Sequence, residues 1–183
     1  MGWQFCPRPM TRRNFASRCA VFLAPFAAAF AVPVSSASAQ GEIEMVSAKN
    51  PAELTIVMLN AGYDVELTED GIGDPLIITE VVGMPLQVYF YGCDAEAHDN
   101  CTSLQLSTGF DRDKPWTRDE ALAISENLRF AAVRLDAEGN PFVSWDIVTG
   151  DGIPREVFLQ SLTHFSRTVE LAAEMVFAEE NKR

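Results

Sequence analysis

The sequence predicts an α+β fold in which helices pack on one side of an antiparallel sheet. Three segments repeat apolar residues every three or four positions, as amphipathic helices do, and six short segments alternate them at every second position, as half-buried strands do. The segments follow the order α-β-β-β-β-α-β-β-α. Consecutive short strands joined by tight turns indicate an antiparallel meander with one face towards water.

The first helix is predicted to begin at Asn50 and to end near Ala61. Asn50 is a preferred N-cap residue, Pro51 suits the first helical position, and Glu53 can reach back to the cap. Gly62 provides the left-handed residue that ends many helices. One buried face of this helix is predicted at Leu54, Val57, Met58 and Ala61.

Four strands are predicted next, over residues 63–67, 76–82, 86–91 and 103–106, because apolar and polar residues alternate there. The second helix follows and is predicted to end near Asn127. Its first turn has a capping box, in which a Thr cap is followed three residues later by Glu. That box is formed by Thr117 and Glu120. Two further strands are predicted at 131–135 and 143–147.

A long last helix is predicted to begin at Pro154. Its apolar stripe is about five turns long and consists of Phe158, Leu162, Phe165, Val169, Ala172 and Val176. A helix of about 24 residues spans about 36 Å, which exceeds what a small sheet covers. Part of the stripe is therefore expected to pair with a second copy in a homodimer, and the alternative is a helix packed wholly on its own sheet.

Residues 1–39 have the layout of a cleavable signal peptide: a basic segment, a short apolar stretch and small residues ending at Ala39. The segment 11–15 (Thr-Arg-Arg-Asn-Phe) resembles the twin-arginine export motif. Cleavage would leave a lead-in over residues 40–49 and a domain over residues 50–179. Because the apolar stretch is short for a membrane span, we expect a periplasmic or secreted protein without stable membrane insertion after cleavage. A retained anchor is the alternative.

The charge of the chain argues against nucleic acid as a partner. The formal net charge is -12, and after the first 39 residues 26 acidic groups face 10 basic ones. Such a surface repels phosphate backbones and anionic lipids.

Cys93 and Cys101 enclose an acidic loop at the ends of two neighbouring strands. In an exported protein such a pair indicates a disulfide. The alternative is a metal site in which Cys93, His98 and Cys101 bind zinc with an acidic residue of the loop, although zinc patterns normally have a second half that is missing here. Redox catalysis is disfavoured because acidic neighbours raise the pKa of a thiol.

Candidate catalytic residues are scarce, so the sequence predicts neither an enzyme nor a cofactor. The two histidines, His98 and His164, accompany no Gly-x-Ser-x-Gly nucleophile elbow. The acidic turn at 69–74 lacks the residue order of a calcium loop, and its glycines precede a strand rather than a phosphate-binding helix. Tyr89 and Tyr91 share one face of their strand and are expected either to lie under a helix or to form an exposed aromatic strip for binding.

Several segments resemble the YbjN family over most of residues 50–177. They are Gly62-Tyr63-Asp64-Val65-Glu66, Gly73-Asp74-Pro75, Tyr89-Phe90-Tyr91-Gly92-Cys93, Cys101-Thr102-Ser103-Leu104-Gln105, Gly109-Phe110 and Leu135-Asp136-Ala137-Glu138-Gly139-Asn140-Pro141. The resemblance implies a sensory-transduction regulator with a fold similar to type III secretion chaperones. Those chaperones bind partner segments as dimers and have no catalytic residues.

Two functions are therefore expected from different classes. The first is a non-enzymatic periplasmic module, chaperone-like or regulatory, that binds an unidentified protein or peptide. Its candidate binding surface is Tyr89, Tyr91, Phe158, Leu162, Phe165 and Val169. The alternative is a small-ligand or metal-binding sensor built on the Cys93–Cys101 loop and the tyrosines.

Overall fold

The computed structural model describes residues 43–178, which form three helices and eight strands. In chain order these are β1 (Met45–Val46), α1 (Pro51–Asn60), β2 (Glu66–Glu69), β3 (Pro75–Val81), β4 (Met84–Tyr91), β5 (Ser103–Gly109), α2 (Arg118–Ser125), β6 (Ala132–Leu135), β7 (Pro141–Val148), β8 (Ile153–Pro154) and α3 (Arg155–Val176). The predicted α+β class is confirmed. The order differs from the prediction only by β1 and β8, which are too short to show any periodicity in the sequence.

Six strands form one antiparallel sheet in the order β2-β3-β4-β5-β7-β6. The first four strands are the predicted meander, whereas β7 pairs with β5 and leaves β6 at the far edge. The sheet therefore has two edge strands, β2 and β6, and each is the first strand of a hairpin. A separate two-stranded sheet joins β1 to β8 at the start of α3.

The helices pack on one side of the sheet, as predicted, and the core lies between the two layers. The helix ends follow from local chemistry. The Asn50 side chain accepts a hydrogen bond from the Glu53 amide at the start of α1, and Gly62, with φ of +92°, follows its last turn. At the start of α2, Thr117 and Glu120 form the predicted capping box.

The first predicted strand begins later than expected. Tyr63 and Val65 precede β2 and are partly buried, while Leu67 within β2 is 42% exposed. An edge strand packs against one neighbour only, so its alternation does not report burial reliably. The predicted signal peptide over residues 1–39 lies outside the described residues. Within residues 43–178, no helix is both long and apolar enough to cross a membrane.

Candidate functional site

Cys93 and Cys101 form a disulfide, with Cα atoms 3.8 Å apart. This confirms the predicted pair. The alternative zinc site of Cys93, His98 and Cys101 is wrong, because both sulfur atoms are bonded to each other and neither is a thiolate ligand. No metal-binding cluster of His, Cys, Asp or Glu occurs within residues 43–178.

His98, at the centre of the disulfide loop (residues 93–101), contacts the turn between β2 and β3. Its Nδ1 atom lies 2.8 Å from Oδ1 of Asp74, a side chain that is largely buried. Its ring also packs over Gly73, where a Cβ atom would lie 3.3 Å from the imidazole. His98 therefore attaches the disulfide loop to the adjacent turn.

Tyr89 and Tyr91 lie on the face of the sheet opposite the helices. Their ring centroids are 6.4 Å apart, and the Tyr89 hydroxyl donates a hydrogen bond to Gln87. Partial burial, helped by the neighbouring Tyr89 and Asp146, raises the pKa of Tyr91. Of the two arrangements expected from sequence, the structure shows the strip without a helix above it, with Tyr91 45% exposed.

The apolar stripe of α3 is part of the core. Phe158, Leu162, Phe165 and Val169 each have no exposed surface, and Ala172 and Val176 are equally enclosed. The four residues expected at a binding surface are thus occupied by contacts within the chain. A homodimer through α3 remains a prediction, and it would have to use the outer side of the helix.

The turns at the two edges of the sheet have the same construction. In the β2–β3 turn (residues 70–74), Oδ1 of Asp70 accepts hydrogen bonds from the amides of residues 72 and 74. In the β6–β7 turn (residues 136–140), Oδ1 of Asp136 accepts from the amides of residues 138 and 140. The fourth residue of each turn is a glycine with positive φ, at +99° and +85° respectively. The Asp70 carboxylate thus accepts hydrogen bonds from backbone amides of its own turn. This structural role explains the acidic residue at position 70 without a calcium ion.

The β6–β7 turn contacts the start of α2. The amide of Trp116 donates a 2.8 Å hydrogen bond to the carbonyl of Gly139, and a Cβ atom on Gly139 would lie 2.6 Å from Pro115. Partial burial would raise the pKa of Asp136, but hydrogen bonds from Asn140, Glu138 and Gly139 outweigh it and lower that pKa. This turn therefore positions α2 beside β6.

A groove of about 850 Å³ lies between α2 and β6. We call it the α2–β6 groove. Its lining combines apolar residues with two basic and two acidic ones, among them Ala121, Leu122, Val133, Leu135, Arg118, Arg134, Asp136 and Glu138. Leu122 is 61% exposed although it is aliphatic. Grooves of this volume are large enough to hold a ligand.

The free edge of β6 opens along this groove. The amide of Asp136 donates a hydrogen bond to the carbonyl of Asn140. In an antiparallel ladder the bonded positions alternate, so the backbone amides and carbonyls of Arg134 and Ala132 also point towards β7. The amides and carbonyls of Val133 and Leu135 consequently point away from the sheet. The same alternation holds on β2, where the amide of Asp70 donates a hydrogen bond to the carbonyl of Asp74. The backbone amides and carbonyls of Leu67 and Glu69 therefore point away from β3.

The two edges differ in charge. Strand β2 reads Glu-Leu-Thr-Glu and has an exposed carboxylate at each end, whereas β6 reads Ala-Val-Arg-Leu and has none. Charged side chains are a common way to prevent an edge strand from pairing with another chain. The β6 edge lacks acidic side chains of this kind.

The surroundings of the groove are also less acidic than the rest of the domain. Residues 112–138 contain five Lys or Arg against six Asp or Glu, while the other described residues contain three against 17. One of these cations, Arg134, stacks over the Phe142 ring at 4.3 Å on the outer face of the sheet. A partner that carries negative charge therefore meets least repulsion at this end of the molecule.

Comparison with known families identifies the chain. A family model described as "Putative bacterial sensory transduction regulator", YbjN, matches residues 50–178. This match covers more than half of the chain, so the chain belongs to the YbjN family. That description names a regulatory role and is not that of a known enzyme family. No curated protein matches the chain.

The sequence did not reveal the α2–β6 groove. Val133 and Leu135 were placed on a strand, but the edge position of that strand depends on β7 pairing with β5, which no local pattern encodes. One signal was available: β2 carries carboxylates and β6 does not. The presence of carboxylates on β2 and their absence on β6 distinguish the two strands, but only after the structure shows that both are edge strands.

Proposed function

We propose that this protein is a non-enzymatic, extracytoplasmic module that binds an extended segment of another protein in the α2–β6 groove. The segment would add a strand to β6, with its backbone bonded to the outward amides and carbonyls of Val133 and Leu135. The observation that carries the proposal is the free edge of β6, which has no carboxylate and opens onto this groove.

The side chains around the β6 edge indicate which residue pattern a bound peptide would have. In an added strand, alternate residues of the partner face α2, where Leu122 and the side chains of Val133 and Leu135 offer apolar contact. Arg118 lines the groove together with Asp136 and Glu138, and the Arg134 side chain stacks on Phe142 at the outer face of the same strand. Neither arginine forms an ion pair with another described residue. An extended peptide that alternates apolar and acidic residues suits this surface.

An extracytoplasmic location is supported by two observations. The sequence has the layout of an export signal over residues 1–39, and Cys93 and Cys101 form a disulfide. Disulfides persist mainly in oxidising compartments. Cell fractionation with a mass measurement tests this part: a periplasmic chain beginning at Gln40 is expected, and a full-length reduced chain in the cytoplasm would contradict it.

The binding proposal is tested with peptides of about ten residues selected from a random library, a length that matches a long strand. Their affinities would be measured for the wild type and for Val133→Pro, since proline removes the outward amide and edge strands tolerate it. The matched control is Leu67→Pro, which removes the equivalent amide of β2. Circular dichroism and thermal unfolding would verify that both variants fold.

The expected result is a loss of about tenfold or more for Val133→Pro and little change for Leu67→Pro, because about 1.4 kcal/mol of lost binding energy corresponds to a factor of ten. Equal affinities for the wild type and both folded variants would overturn strand addition at β6. Failure of the library to yield any binding peptide would overturn the proposal as a whole.

A further inference from the structure

A second cavity lies beyond the α2–β6 groove, between α3 and the segment that connects α2 to β6. It has a volume of about 330 Å³, at the lower end of the range for small-molecule sites. Its lining includes Leu128, Phe130, Trp145 and Leu171, which supply apolar surface, and Arg129 and Arg167, which supply charge. We call it the Phe130 cavity.

The charge of this cavity is unusual for the protein. None of the described residues that line it is acidic, although residues 43–178 contain 23 Asp or Glu. The side chains of Arg129 and Arg167 make no ion pair or hydrogen bond with any other residue in the described range 43–178, and His164 also lines the cavity. The Thr168 hydroxyl donates its hydrogen bond to the carbonyl of His164. Both arginines are exposed, and guanidinium groups without a carboxylate partner are available to bind an anion.

The apolar part of the cavity has a specific shape. The rings of Phe130 and Trp145 are in contact, with centroids 5.1 Å apart and planes tilted by 37°, and Phe130 is nonetheless 78% exposed. The backbone of Phe130 has φ of +63°, a conformation that a bulky residue adopts rarely. Residues held in such conformations are concentrated at binding and switch sites. An exposed ring beside an indole offers stacking to an aromatic ligand.

We propose that the Phe130 cavity binds a small aromatic carboxylate, with the ring of the ligand against Phe130 and Trp145 and its carboxylate on Arg129 and Arg167. The site is separate from the Val133 edge, so this inference stands independently of peptide binding. The ligand would contact residues 127–130, which lead from α2 to β6, and would thus be sensed at one end of the groove.

The test uses the mature chain from Gln40, in which Trp116 and Trp145 are the remaining tryptophans. In a Trp116→Phe background, quenching of the Trp145 fluorescence reports binding. Three probes share one apolar body and differ in charge: phenylbutyrate, phenylbutanol and phenylbutylamine. The variants are Arg129→Gln and Arg167→Gln, and the matched charge control is Lys114→Gln, which lies outside this cavity.

Phenylbutyrate is expected to quench Trp145 saturably and to bind at least about tenfold more tightly than the alcohol or the amine, as hydrogen bonds to charged groups warrant. Each arginine variant should lose about tenfold or more, and Lys114→Gln should retain the affinity of its background. Equal binding of the three probes, equal affinity in the arginine variants, or absence of saturable quenching would each overturn the proposal. Circular dichroism verifies the fold of every variant.

Discussion

The two edge hairpins of the sheet have turns of the same construction but different surroundings. At the β2 edge, the turn at 70–74 is covered by a loop closed by the Cys93–Cys101 disulfide, and the strand carries two carboxylates. At the β6 edge, the turn at 136–140 contacts the start of α2 without a covalent link, and the strand has no acidic residue. The same local structure therefore occurs at an acidic edge whose turn is covered by the disulfide loop and at an edge without carboxylates that adjoins a groove.

The largest expected effect concerns the β2 edge, where the disulfide loop covers the turn. Replacing Cys93 and Cys101 by serine removes a cross-link between residues eight positions apart, which should lower the free energy of unfolding by about 2–3 kcal/mol. Urea unfolding measures the loss. Hydrogen exchange should accelerate in residues 70–74 and stay unchanged in residues 136–140. Equal acceleration in both turns would show that the two edges are not independent.

A matched pair of glycine substitutions sharpens the comparison. Gly139→Ala should destabilise the fold by at least about 2 kcal/mol, because its φ is positive and its Cβ would overlap Pro115 at 2.6 Å. Gly73→Ala has a similar φ, but its Cβ would lie farther from its neighbour, at 3.3 Å from the His98 ring, so about 1 kcal/mol is expected. Chemical denaturation measures both, and a larger loss at Gly73 would contradict the described packing.

The smallest expected effect concerns acid. The hydrogen bonds that lower the pKa of Asp136 stabilise the fold above the pKa of the unfolded carboxyl, near about 4. This contribution is lost as the pH falls through the lower, folded pKa. Asp136→Asn should therefore show a shallower loss of stability on acidification than the wild type, in urea titrations at several pH values. A slope for Asp136→Asn equal to that of the wild type would contradict this role of the carboxylate.

Local chemistry made much of the fold predictable. The caps Asn50 and Thr117 act within one helical turn, and the stripe of α3 follows from the helical repeat, so these features could be read from the sequence. The sequence did not show whether this stripe is buried in the core of its own chain or in a dimer interface, because the same apolar pattern fits either environment. The Cys93–Cys101 pairing was predictable because the two residues end adjacent strands.

The candidate sites depend on contacts between distant segments. The cavity around Phe130 combines residues before β6 with Trp145 and α3, and no spacing in the sequence brings them together. The shared turn was visible as Asp-x-x-Gly followed by Asp or Asn, at Asp70 and at Asp136. The sequence does not show that these two turns belong to hairpins at opposite edges of one sheet, because strand order depends on pairing between distant segments.

Residue-resolved hydrogen exchange with and without a selected peptide tests the central claim most directly. The amides of Val133 and Leu135 point away from the sheet in the free protein and should become protected when the peptide adds a strand. The amides of Leu67 and Glu69, in the same positions on β2, should exchange at an unchanged rate. Protection at β2, or bound peptide without protection at β6, would contradict the account.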